Sequence, residues 1–326
     1  MPFWKRSSPE DKQRRLQEQQ ADEVSRQSLE AGGLPTRAQQ RLTEEMQAGH
    51  PLFTSDLSTN ELALTHQQGY QPVSQVMGSS IYQVGWQYTR QYSWQTSMQE
   101  LTTVSEGHQH AARLAIGRLE QEARLLRAHG VIGVRFTQRN YDWGSNLIEY
   151  TAIGTAVKLP NTPLGERPFL SDLSGQEFWA LLQAGYYPAG IVTGYSSFYV
   201  SLGSRMTQQL RGYWGTGGYN QEVVPFTQAT YDARHRAMAQ ANQMVRQIGA
   251  LGIVGMHITN ERKIYEYETD NPKSQYLDLF VHFGVVGTAI TTIKKDHVIP
   301  KLTPTLSLTD LRPGRYGQVS ELTFKS

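Results

Sequence analysis

One stretch of this chain occurs twice, and that repetition limits the folds open to it more than any other feature. Phe53-Thr-Ser-Asp-Leu-Ser, leading through Gly69-Tyr70-Gln-Pro72 to Gly78-Ser-Ser-Ile-Tyr82, recurs as Phe169-Leu-Ser-Asp-Leu-Ser, leading through Gly185-Tyr186-Tyr-Pro188 to Gly194-Tyr-Ser-Ser-Phe-Tyr199. Asp56 and Asp172, Gly69 and Gly185, Pro72 and Pro188, and Gly78 and Gly194 all stand 116 residues apart. Ile132-Gly133-Val134 returns as Val254-Gly255-Met256 at an offset of 122, and Gly154-Thr155-Ala156-Val157 as Gly287-Thr288-Ala289-Ile290 at an offset of 133. A self-match of this kind marks one structural unit used twice. With 326 residues, the chain divides into a polar, partly helical arm at 1–50, a first repeat at 51–160, a linker at 161–168, a second repeat at 169–295 and an extended tail at 296–326.

Local patterns give each repeat the same plan. Ser58 and Ser174, each followed three residues later by a glutamate (Glu61, Glu177), form capping boxes that open a short helix. Gly69 and Gly185 close it in the left-handed conformation glycine favours. Asp56 and Asp172 read as carboxylates favoured by the same helix starts. A β-prone run follows (Tyr70–Met77, Tyr186–Thr193), ended by a glycine and succeeded by a second, aromatic strand (Ser79–Gly85, Ser196–Gly203). Ala112, Ala115, Ile116, Leu119, Ala123 and Leu126 lie on one helical face, and the offset of 122 maps the last five onto Ala237, Met238, Ala241, Val245 and Ile248. A hairpin completes each unit, with strands near 131–139 and 147–158, then 253–267 and 276–291. The fold class is α+β: two tandem units, each a small antiparallel sheet with one packed helix.

This order, with Val131-Ile132-Gly133-Val134, Gly154-Thr155-Ala156-Val157-Lys158, Gly252-Ile-Val-Gly255 and Gly287-Thr-Ala-Ile290, resembles the YbjQ-like family, whose members carry the label of heavy-metal-binding domains. The resemblance extends over both repeats. It implies dodecin-like α+β units, closed homo-oligomeric rings that are pentameric in single-domain relatives, and no established enzymatic activity.

The metal label must find donors. Soft metals favour thiolates or clustered imidazoles, yet the chain has no cysteine and its nine histidines are scattered. His108 and His110, two apart, do not share a helical face. The repeat offsets align His257 with Arg135 and His282 with Glu149. If both hairpins pair symmetrically about their turns, His257 faces His282 where Arg135 faces Glu149, which makes His257 and His282 the candidate ligands for a divalent metal ion. The alternative is a polar pair on an open sheet face. Aromatic loops (Trp86, Tyr88, Tyr92 and Trp94; Tyr213, Trp214 and Tyr219) read as subunit contacts, since interfaces favour Tyr, Trp and Arg.

Thirty-one Lys and Arg against 29 Asp and Glu remove the electrostatic term that nucleic-acid binding relies on. No apolar run spans a membrane or resembles a secretory signal, so a cytoplasmic protein is expected. Without a Gly-x-Ser-x-Gly elbow or a phosphate loop, the expectation is a non-enzymatic, ring-forming scaffold; its arm reads first as a solvated, partly disordered segment and second as one that docks a partner. The alternatives are a metal- or small-molecule-binding module at His257 and His282 or between subunits, and an enzyme with a composite site at subunit interfaces.

Overall fold

The computed structural model describes residues 9–47, 53–85, 87–89, 95–140, 147–211, 220–268 and 275–292. Trp86, Tyr92, Trp94, Tyr213, Trp214, Tyr219 and the tail lie outside them. Helices α1 (Pro9–Glu30) and α2 (Thr36–Gln47) precede two series that share the order short helix, strand, long helix and two further strands. The first is α3 (Thr59–Gln67), β1 (Gln71–Gln83), β2 (Ser97–Glu100), α4 (Thr102–Leu125), β3 (Gly130–Asn140) and β4 (Leu147–Lys158). The second is β5 (Phe169–Leu170), α5 (Gly175–Gln183), β6 (Tyr186–Leu202), α6 (Ser204–Arg211), α7 (Val224–Gln247), β7 (Gly252–Glu268) and β8 (Gln275–Thr292). This is the expected α+β class.

The repeated residues perform the same task in both halves. Ser58 and Ser174 cap α3 and α5 with complete boxes, Glu61 and Glu177 returning the bond. Gly69 and Gly185 take φ of 79° and 80°, past those helix ends. Gly133 and Gly255 share φ 63° at a bulge that shifts the β3–β4 and β7–β8 registers at equivalent places.

Gly78 and Gly194 do not close strands, as the sequence suggests; β1 and β6 run straight through them. A Cβ on Gly78 would sit 2.0 Å from the Ala115 carbonyl oxygen of α4, and one on Gly194 2.0 Å from the Ala237 oxygen of α7. The glycines serve close helix–sheet approach rather than a turn. The small-residue face of α4 is buried as its periodicity requires, from Ala112 to Ala123. On α7 the buried stripe is narrower, Ala229, Ala233, Ala237, Ala241 and Val245, and Ile248 is exposed.

Each half lends strands to the other. The first sheet has the order β1-β4-β3-β5 and the second β2-β6-β8-β7. Thus β2, before α4, pairs antiparallel with β6, while β5, after the linker, pairs parallel with β3. From Ile191 to Leu202, β6 is buried on both faces. One core cluster joins Leu42, Ala115, Tyr150 and Ala152 to Ile191, Tyr195 and Val286, so the halves share an interior. The arm joins it too. Arg118 of α4 donates to the carbonyls of Leu29 and Gly33, Arg41 pairs with the buried Glu122, and Leu42 is fully covered. Among the described residues no helix is long and apolar enough to cross a membrane.

Replacing Gly78 or Gly194 with Ala pushes a methyl group into helix backbone and is expected to lower stability by about 3 kcal/mol or more. Gly117→Ala, where nothing lies within 4 Å, is expected to raise it by up to about 1 kcal/mol through helix propensity. Chemical denaturation of the three variants checks both signs.

Candidate functional site at the junction of the two sheets

Strand alternation decides what lies between the halves. Because Gly194 faces α7, its neighbour Tyr195 points the other way, toward α4 and the first sheet. There it meets His108 from α4, Tyr150 from β4 and His282 from β8. The imidazoles of His108 and His282 lie 4.0 Å apart by ring centroid, Tyr195 stacks on His282 at 5.9 Å, and Tyr150 meets Tyr195 edge-on at 5.5 Å. All four side chains are buried.

The hydrogen bonds assign the protons. Tyr150 donates its hydroxyl to Gln138 Oε1 at 2.9 Å, so its contact of 2.8 Å with His108 is one it accepts, from a proton on Nδ1. His282 Nδ1 is 2.8 Å from Ser197 Oγ, and its Nε2 is buried with no hydrogen-bond partner. Burial pushes the His282 imidazole down to about 4. Burial, and then the neighbouring His282, push His108 down to about 2. Both rings are neutral at ordinary pH, too weakly basic and too enclosed to act as general bases. They form a polar joint in an apolar interior.

A second arrangement occurs once in each half. The loop before α3 is tied to β4 through Ser55 Oγ and the Asp56 amide, both on Thr155 Oγ1 at 3.0 and 3.2 Å. The loop before α5 is tied to β8 through Ser171 and the Asp172 amide on Thr288 Oγ1, at 3.3 and 2.9 Å. The carboxylates therefore turn to the sheet, and capping is left to the serines. Asp56 forms an ion pair with the exposed Arg135. Asp172, its side chain 2% exposed, accepts from the Thr288 hydroxyl and has His257 Nε2 at 4.0 Å. Burial, opposed by the Thr288 bond, raises its carboxyl to about 6. The offset aligning His257 with Arg135 thus corresponds to one place in each half, beside the repeated aspartate.

The strand partners are not those the sequence suggests. His257 lies opposite Val286 and His282 opposite Glu261; likewise Arg135 lies opposite Ile153, and Glu149 opposite Arg139. From the turns out to Arg135 and His257 both hairpins keep an even register, with the bulges at Gly133 and Gly255 lying beyond; His257 and Arg135 stand four residues farther along their strands from the turns than the partners of His282 and Glu149. His257 is mostly exposed and His282 buried, so the structure does not bring this pair together. It brings His282 to His108 instead, while His110 lies beside Tyr82. Of the aromatic-loop candidates only Tyr88 is described, and it is 71% exposed.

A heavy-metal ion does not fit this donor set. The chain has no thiolate, and among the described residues no three His, Asp or Glu side chains converge. Asp172 and His257 supply two donors, one of them engaged by Thr288.

The buried histidines make stability fall on acidification. The unfolded imidazoles take up protons below about pH 6.5, whereas the folded ones stay neutral to far lower pH, so stability is complete above that value and is lost as pH falls through it. The raised carboxyl of Asp172 acts oppositely, its folded state gaining stability as pH falls through about 6. Denaturation midpoints measured from pH 7 to 4.5 are expected to drop, and to drop less steeply in His282→Asn, which keeps a group for Ser197 and removes a titration. In Asp172→Asn the drop is expected to be steeper.

A family model of YbjQ type, described as "Putative heavy-metal-binding", matches residues 93–160, which hold β2, α4, β3 and β4. The match lies in the first half; likeness of the second half to it rests on the internal repeat. The encapsulin nanocompartment protein Rv1762c of Mycobacterium tuberculosis (strain ATCC 25618 / H37Rv) is 34% identical over 269 residues, covering 79% of this chain and 95% of the relative. The domain match lies inside the span shared with this mycobacterial protein, and the chain belongs to the YbjQ-like family.

Proposed function

We propose that this protein is a non-enzymatic, homo-oligomeric assembly protein, built as a closed ring, that works with a protein compartment of the kind in its relative's name. The observation that carries the reading is the state of the sheet edges. β7, a strand of 17 residues, forms one edge of the second sheet, and β1 forms an edge of the first. Exposed apolar side chains accompany both: Met256, Ile258 and Ile264 on β7, and Met77 and Ile81 on β1. Long apolar edges are aggregation-prone unless another chain covers them. The polar groups with the most perturbed protonation, by contrast, are enclosed in the interior, where no substrate reaches them.

The turn after α1 and helix α2 are held on the chain's own α4, whereas α1 carries Leu16 and Val24 exposed and is the part of the arm open to a partner. Native mass spectrometry of the untagged protein at neutral pH is expected to show one oligomer of fixed stoichiometry. A monomer at micromolar concentration overturns the proposal.

A further inference from the structure

Where α4 meets the second sheet, the contact between the two halves joins unlike surfaces. The first half contributes the segment β2–α4, and the second contributes the face of β6 and β8 that turns away from α7. β2 pairs with β6 from Ser97 opposite Ser201 to Glu100 opposite Phe198, and the Leu101 amide continues the pairing onto the Ser197 carbonyl at 2.8 Å. One turn into α4, Ser105 Oγ accepts from the Ser197 amide at 2.9 Å. Gln109 Nε2 donates to Thr193 Oγ1 at 2.9 Å, and His108 covers His282. Such a contact joins two different surfaces, and each chain, being a repeat, carries both surfaces a second time.

The second set is uncovered. The offset of 122 carries Met98–Leu101 and α4 onto Asn220–Val223 and α7. Val223 caps α7 with φ −85° and ψ 78°, close to Leu101 at −91° and 76°, so the chain turns into both helices the same way. Asn220–Glu222 form no strand and are exposed. The offset of 116 carries the face of β6 onto β1, the outermost strand of its sheet. An open depression lined by Tyr82, Gln83 and Gly85, with Thr103, His110 and Arg113 of α4, lies along the stretch of β1 that corresponds to where β6 receives β2.

The side chains have changed in a consistent direction. The bonded pair Gln109–Thr193 corresponds to Tyr231 and Met77, which are 64% and 48% exposed. Ser105–Ser197 corresponds to Thr227 and Ile81, and Ile81 is 62% exposed. Where the interior joint uses polar bonds within one chain, the equivalent outer surfaces present larger apolar groups, the composition of an association surface.

Resting on the assembly reading above, we propose that α7 and Asn220–Val223 of one copy dock onto β1 and the open face of the first sheet of the next copy, repeating between chains the joint that lies within each. Tyr231 then packs on Met77, Gln221 pairs opposite Gln83, and the Val223 amide reaches the Ile81 carbonyl. The contact is head-to-tail, so it continues from copy to copy until the circle closes.

Met77→Asp and Tyr231→Asp test it, since both positions are exposed and the variants are expected to keep the wild-type circular dichroism spectrum. By native mass spectrometry each variant alone is expected to be monomeric. An equimolar mixture is expected to yield a one-to-one heterodimer, because one intact surface of each kind remains. The chain has no cysteine, so Met77→Cys and Tyr231→Cys proteins are also expected to form a disulfide-linked heterodimer on mixing and oxidation, with neither forming it alone. If the wild type assembles but the aspartate variants assemble equally well, or the cysteine variants do not cross-link on mixing, this interface is wrong and the assembly reading stands. A monomeric wild type removes both.

Discussion

The distance between helix and sheet at Gly78 and Gly194 governs much of the rest. Backbone meets backbone there, so each helix must present small residues at that contact and each strand must pass beneath it without a side chain. Two consequences follow from that one contact. The strand cannot turn at the glycine, because its neighbours are needed on both faces. The residue after the glycine is also thrown to the opposite face, and in the second half that residue is Tyr195, which stands at the centre of the junction between halves.

That junction is polar where a core of aliphatic groups would be simpler. Tyr150 is bonded to His108 and Gln138, and His282 Nδ1 to Ser197, while His282 Nε2 has no partner, and a buried polar atom left unpaired costs about 1–3 kcal/mol. Directional groups in an apolar setting fix which surfaces meet and in what register, something interchangeable methyl groups do poorly. The same reasoning accounts for the paired loops at Asp56 and Asp172. Each is tied to its own sheet through a threonine of the Gly-Thr-Ala strand, but a permanent cation accompanies one carboxylate and a titratable ring accompanies the other.

What was legible in the sequence was local. The capping boxes at Ser58 and Ser174, the positive φ at Gly69 and Gly185 and the buried face of α4 depend on neighbours within a few residues, and the pattern carries them in full. The run of β1 through Gly78 was not legible, because a glycine that ends a strand and one that admits a helix look alike until the helix is placed. Pairing was lost for a related reason. The centre of each hairpin turn is not marked in the sequence, and the β7–β8 register that the structure sets from Glu268 opposite Gln275 puts Val286, not His282, across from His257. His108 was visible only as half of an unpromising pair with His110. Its true neighbour lies 174 residues away in a strand of the other half, and nothing in either stretch announces the other. The exchange of β2 and β5 between sheets was equally silent, since both are short and lack alternation.

That exchange bears on how the chain matures at the ribosome. When the first half has emerged, β2 has no strand to join, and α4 is covered by β1 and the arm but open on the side that receives β6. β6 must then follow, and β8 after it, before His282 arrives to close the stack. The early half then presents the face that receives β6, and any neighbouring nascent chain displays a β6 of its own. Accuracy of pairing at that stage rests on tethering: the linker at 161–168 keeps the correct strand at a far higher local concentration than any competitor.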